Sequence, residues 1–258
     1  MRANFVKQTL LGGGTSLGTM VFEFNSTGIA RIIAEAGAEF VIFDMEHTGW
    51  SIETIRTLIA TSRAADLVPM VRVPATQYHL LSRPLDVGAM GLMVPMVETA
   101  EQAELIVASA KYFPDGTRGA AFTVAHDDYQ GGDVATKMAS ANQEQLLIAQ
   151  IETARGVEQA EAIAATPGID VLWIGHFDLT TSLGIPAQFT HPDYLRAVER
   201  VLEACRNQGK VPGMMASGVD NARALLDQGF RILAYWGDLW IFGEALKQAL
   251  DAIRAPRS

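Results

Sequence analysis

Short runs of Val, Ile, Leu, Met and Phe alternate along the chain with longer stretches in which apolar residues recur every third or fourth position. The short runs predict strands at 17–22, 40–44, 69–73, 91–95, 146–151, 171–175, 211–215 and 231–235. The longer stretches predict helices at 26–36, 51–64, 78–86, 99–112, 134–142, 154–164, 191–207, 219–227 and 239–253. Within 51–64, Ile52, Ile55, Leu58 and Ile59 keep helical spacing, and Asn25 or Ser26 offers a cap for the helix at 26–36. A Pro- and Gly-rich loop at 113–133 interrupts the rhythm as an insertion. The glycines at 12–14 precede the first strand and read as a flexible turn. A dinucleotide-binding turn would have to follow that strand.

Strands alternating with helices imply a parallel sheet with right-handed crossovers. Eight such units, most of them spaced about 20–35 residues apart and with one inserted loop, favour closure into a (β/α)8 TIM barrel over an open sheet. The expectation is an α/β fold with a single domain over 1–258 and a C-terminal helix at 239–253.

Composition narrows the function classes. At 49% hydrophobic and 19% charged residues the chain is globular. It has neither a signal-peptide pattern nor an apolar run of the roughly 20 residues a membrane helix needs. A soluble, cytoplasmic protein without a membrane partner is expected. A formal charge of −9 with no basic stripe argues against a nucleic-acid partner. The single cysteine, Cys205, lies in a helical pattern and reads as a packed residue, which excludes an internal disulfide and a cysteine metal site.

In a barrel of this kind, chemistry sits where strands end and the following loops begin. The unusual polar residues fall there: Glu23 after the first strand, Asp44, Glu46 and His47 after the second, and Arg72 in the third. Gln150 and Glu152 end the fifth strand, His176 and Asp178 follow the sixth, and Trp236 and Asp238 follow the eighth. For Glu23, Glu46, Trp236 and Asp238, packing or helix-capping roles fit equally well. Arg72 stands in Met70-Val71-Arg72-Val73, where an unpaired charge would cost several kcal/mol, so it must meet an anion, either a ligand or a neighbouring carboxylate. Glu152 and Asp178 lie 26 residues apart, about one strand–helix unit, which places them side by side. Two carboxylates without clustered His or Cys suit a hard cation such as Mg2+ or Mn2+. The same spacing suits two helix caps. Asp44 and His47 suggest an oriented base, the carboxylate holding one imidazole nitrogen. None of the five lysines ends a strand, so Schiff-base chemistry has no candidate nucleophile.

The stretches FVIFDMEHTGW (40–50), MVRVP (70–74), GAMGLMVPMVETAEQAE (88–104), YFPDGTRG (112–119), AQIETARG (149–156) and WIGHFDLTTSLG (173–184) together resemble the HpcH/HpaI aldolase family. These are metal-dependent, class II pyruvate aldolases on a (β/α)8 barrel, 4-hydroxy-2-oxo-heptane-1,7-dioate aldolase-like. The resemblance implies that Glu152 and Asp178 are the metal ligands, for Mg2+, Mn2+ or Co2+. It implies that His47 is the catalytic histidine with Asp44 its partner. Arg72 and Gln150 would stand near the keto acid's oxygens, and backbone amides at Phe177 and Asp178 would hold its carboxylate. It also implies a hexamer of paired barrels in which the C-terminal helix packs on a neighbour. The family's sixth-strand loop reads G-P-x-D-L-S, where this chain has Gly175-His176-Phe177-Asp178-Leu179-Thr180. His176 and Phe177 therefore put the shape of the carboxylate pocket in question.

The expected reaction is reversible cleavage of a 4-hydroxy-2-oxo acid to pyruvate and an aldehyde through a metal-stabilised enolate, with small-molecule partners only. Oxaloacetate decarboxylation, or lysis of a hydroxyacyl-CoA on a related barrel, are the alternatives. A barrel that binds oxo acids without turning them over is the alternative of another class.

Overall fold

The computed structural model describes residues 1–255. Eight parallel strands close into a barrel in chain order: β1 (Ser16–Val21), β2 (Phe40–Asp44), β3 (Val68–Arg72), β4 (Gly91–Val94), β5 (Leu146–Ile151), β6 (Val171–Ile174), β7 (Val211–Ala216) and β8 (Ile232–Gly237), which pairs back with β1. The helices are α1 (Phe5–Leu11), α2 (Ile29–Glu35), α3 (Ile52–Ala64), α4 (Tyr78–Asp86), α5 (Ala100–Ala110), α6 (Val134–Glu144), α7 (Ala154–Glu158), α8 (Ala160–Ala165), α9 (His176–Ser182), α10 (Pro192–Gln208), α11 (Val219–Asp227) and α12 (Asp238–Arg254). The (β/α)8 architecture expected from the periodicity is thus observed. No helix among the described residues is long and apolar enough to cross a membrane.

Alternation along each strand sorts side chains into two cores. Outward residues such as Val41, Phe43, Val71, Leu147 and Ala149 pack beneath the helices. Inward residues such as Phe40, Ile42, Met70, Ile148 and Trp173 fill the barrel. This parity places the site. Asp44 continues the inward face of Phe40 and Ile42, Arg72 that of Met70, and Gln150 and Glu152 that of Ile148. The β2–β3 register sets Asp44 opposite Arg72.

Several boundaries differ from those the sequence predicts. Before the first strand, where the sequence predicts no element, lies helix α1, capped by Asn4. Its Val6 and Leu10 join the inner core, so it stoppers the amino end of the barrel. Helix α2 begins only at Ile29, after a Gly28 cap with no side-chain bond, so neither Asn25 nor Ser26 caps it. The helix predicted at 154–164 is two short helices meeting at Gln159. Within the insertion at 113–133 a 3-10 turn forms at Ala125–Asp127, where the Asp127 carboxylate accepts from the amides of Thr123 and Val124. Directly after β6 lies α9, which the periodicity does not reveal.

Helix α12 departs from the pattern of the others. Among its residues only Asp238 is buried, while Trp240, Ile241, Phe242, Leu246, Leu250 and Ile253 are exposed. These side chains leave an exposed apolar face on the helix.

Candidate active site

The carboxyl ends of β2, β3, β5 and β6 bring together most of the polar residues singled out above. Asp44 is fully buried, and its Oδ1 accepts from Arg72 Nε at 2.6 Å. Arg72 Nε also lies 3.3 Å from Glu46 Oε2. The guanidinium thus meets two carboxylates from the neighbouring strand end, and its carbon stands 5.6 Å over the Phe22 ring. Its demand for an anion is met within the chain, while the outer N–H groups of the fork have no bond to either carboxylate.

The pairing of Asp44 with the His47 ring is not what the structure shows. Asp44 closes a turn instead: its carboxylate accepts from the backbone N–H of Glu46 at 3.2 Å and of His47 at 2.9 Å. Short side chains readily bond the backbone two and three residues on, and with Arg72 these bonds engage both Asp44 oxygens, none of them with the ring. The imidazole faces Glu46 instead, with Nε2 3.6 Å from Glu46 Oε2, and is otherwise open to solvent. Glu46, one of the residues with open alternatives in the sequence, is therefore the carboxylate that links Arg72 to His47. Burial raises its carboxyl group above the ordinary range, Arg72 opposes this, and Asp44 and Asp178 reinforce it.

Glu152 is the most perturbed acid of the rim. It is 1% exposed, and burial pushes its carboxyl up to about 7 against hydrogen bonds from Gln150 and the Met96 amide, with Glu46 and Asp178 adding to the rise. Oε1 accepts from Met96 N at 2.7 Å, and Oε2 accepts from Gln150 Nε2. Gln150 Oε1 is buried without a partner. Space for this carboxylate depends on Gly175, where a Cβ would stand 2.2 Å from Glu152 Oε2. Its φ of −86° suits any residue, so it is contact and not backbone strain that requires glycine there.

Asp178 sits in the first turn of α9, exposed, close enough for its charge to act on both Glu46 and Glu152. The α9 amides begin at Gly175 without a side-chain cap. The side chains of His176 and Phe177 join an aromatic cluster. Their rings pack together at 4.7 Å and each meets Phe189, at 5.3 and 5.2 Å. Burial holds the His176 imidazole down at about 4, so it is neutral at pH 7. Asp238, also on this rim, is a structural cap: its carboxylate accepts from the amides of Phe22, Glu23 and Phe24 at 2.6–2.9 Å.

Four carboxylates, Asp44, Glu46, Glu152 and Asp178, thus share a rim with one guanidinium, which pairs with the first two. Such a site is short of positive charge, and an unpartnered Gln150 carbonyl beside Glu152 adds a further oxygen donor. All-oxygen donors of this kind fit a hard divalent cation. Among the described residues no group of three or more His, Cys, Asp or Glu side chains is placed to hold a metal ion. Lysine chemistry is absent from the rim: Lys7 bonds Asp170, Lys137 bonds Asp127, Lys210 bonds the Ile169 carbonyl and Lys247 bonds Asp251. Lys111 lies in the field of Lys7 and Lys210.

Comparison with known proteins shows which family shares this sequence and fold. The 5-keto-4-deoxy-D-glucarate aldolase of Escherichia coli is 33% identical over 224 residues, covering 87% of each chain. The crystal structure of an HpcH/HpaI aldolase from Desulfitobacterium hafniense superposes with a TM-score of 0.94 at 31% identity, covering 99% of both chains. An HpcH/HpaI aldolase/citrate lyase family protein from Burkholderia cenocepacia superposes with a TM-score of 0.91 at 35% identity, covering 98% of this chain and all of that one. The family model for HpcH/HpaI aldolase/citrate lyase matches residues 19–241, all eight strands bar the first residues of β1, and the chain belongs to that family.

Proposed function

We propose that this enzyme is a divalent-metal-dependent aldolase that reversibly cleaves a 4-hydroxy-2-oxo acid to pyruvate and an aldehyde. The observation that carries the reading is the surplus of carboxylates over the one guanidinium on the carboxyl rim, in a barrel whose lysines all lie elsewhere. Glu152 and Asp178 would hold the cation, Mg2+, Mn2+ or Co2+. Bound there, it would supply positive charge to the substrate's 2-oxo oxygen, where negative charge develops.

The chain's own residues divide the remaining work. Gln150 fixes Glu152 through its amide N–H and leaves its carbonyl toward the pocket. Arg72, oriented by Asp44 and Glu46, directs its free N–H groups to the keto-acid oxygens and stabilises the enolate that forms there. His47, the one exposed imidazole of the rim, takes the proton of the C4 hydroxyl. The C3–C4 bond then breaks, its electrons pass into the C2–C3 enolate, and the aldehyde departs. Protonation at C3 completes pyruvate. Glu46 beside the ring would stabilise the imidazolium formed in the first step. The amides of Phe177 and Asp178 at the start of α9 would receive the substrate carboxylate.

The relative from Escherichia coli acts, by its name, on 5-keto-4-deoxy-D-glucarate, and a polyhydroxy dicarboxylic acid of that class is the substrate to try first. We further propose a cytoplasmic hexamer of paired barrels, supported by the bare apolar face of α12. The deciding experiment is a pyruvate-release screen over 4-hydroxy-2-oxo acids and oxaloacetate, with and without chelator. Chelator-sensitive release from the hydroxyoxo acids is expected, lowered at least about a hundredfold in Arg72→Ala. Release from oxaloacetate alone, or an Arg72→Ala variant as fast as the wild type, would overturn the assignment.

A further inference from the structure

The amino end of the barrel carries a charged feature that the aldolase reading leaves unused. The turns entering β7 and β8 each pass through a glycine at positive φ, Gly209 at 62° and Gly229 at 101°. Such turns favour glycine, and its missing side chain leaves room. Beside these turns opens a cavity of about 260 Å3 whose wall carries Arg206, Lys210, Arg231 and Gln228 and no carboxylate.

The three cations are under-neutralised. Arg231 Nη1 donates to the Leu10 carbonyl at 3.0 Å, and Lys210 Nζ to the Ile169 carbonyl at 2.8 Å. Among the described residues neither has a carboxylate within 4.0 Å. Asp170, whose charge reaches Lys210, is already occupied by Lys7 Nζ at 3.0 Å and the Leu147 amide at 2.9 Å. Burial lowers the Lys210 ammonium, Asp170 opposes this, and Lys7 lowers it further. Arg206 pairs with Glu199 at 2.6 Å, but both side chains are more than half exposed, where such a pair is weak and exchangeable. In a chain of formal charge −9, three positive groups around one void run against the overall field.

We propose that this cavity is a second anion site, for a phosphate group, at the opposite end of the barrel from the aldolase centre. Two guanidiniums and an ammonium match the charge and the several acceptor oxygens of a phosphate dianion. The volume is that of roughly eight or nine waters, which admits inorganic phosphate or the monoester of a small metabolite. Gln228 supplies a neutral amide for the ester's organic part.

Calorimetric titration of the full chain with inorganic phosphate and with glycerol phosphate, at constant ionic strength, tests the site. Saturable binding is expected, weakened about tenfold or more in Arg206→Gln and in Lys210→Met, the scale of one lost hydrogen bond between charged groups. Arg206 is exposed, so Arg206→Gln should keep the wild-type thermal midpoint without ligand and decides the matter even if Lys210→Met folds poorly. Tighter binding of the ester identifies a phosphorylated metabolite as the occupant, and tighter binding of phosphate identifies the free ion. Absence of saturation by about 10 mM, or equal affinity in wild type and Arg206→Gln, would overturn the proposal.

Discussion

Glu152 concentrates the electrostatic cost of this site in one residue. Its carboxyl stands near 7 because burial and two neighbouring acids disfavour its charge. A carboxyl raised in the folded state above its unfolded value near 4.5 favours folding fully below that value. The contribution fades as pH rises through about 7. Metal-free protein should therefore lose stability between pH 4.5 and about 7, by roughly 1–3 kcal/mol, as denaturant titrations in chelator would measure. Glu152→Gln should flatten that slope and equal or exceed the wild type in stability at pH 7.5. The same variant should lower pyruvate release at least about a hundredfold. A slope unchanged by the substitution would place the titrating group elsewhere.

Among the elements, the junction of β8 with α12 shows how one carboxylate holds a loop. Asp238 accepts from three successive amides after β1, tying the first strand's exit to the last strand's. Asp238→Ala should cost about 2–3 kcal/mol through three unpaired or re-solvated amides, read as a lower urea midpoint. Asp238→Asn should recover part of it. Strand period and parity made the barrel legible in the sequence, because inward and outward residues alternate along every strand whatever lies beyond. The same parity located Gln150, Glu152 and Arg72. It could not locate α9, whose His176–Ser182 segment is short and polar and held by Phe189, which lies beyond it in the chain and itself packs on Tyr194. Nor could it show that Asp44 would bond the backbone of Glu46 and His47, since D-x-x-H spacing permits both that turn and a contact to the ring. Helix α1 was hidden for a related reason: Val6 and Leu10 find their apolar partners only across the closed barrel.

For the molecule as a whole, α12 sets the dependence on neighbours. Phe242, 58% exposed, meets the Phe24 ring edge-on at 5.7 Å. If the face bearing it is an interface, Phe242→Glu should shift the protein to smaller species in sedimentation. It should also lower the thermal midpoint, while the wild-type midpoint rises with protein concentration. An unchanged sedimentation coefficient would remove α12 from the interface. At the other end, the stopper has a consequence for the order of assembly. Lys7 bonds Asp170 across 163 residues, and Leu10 receives Arg231 across 221. A ribosome makes residues 5–11 long before these partners, and loop closure over such separations is slow. The earliest helix of the chain is therefore among the last pieces to be seated, and its apolar face must be shielded from aggregation until the eighth strand has been synthesised.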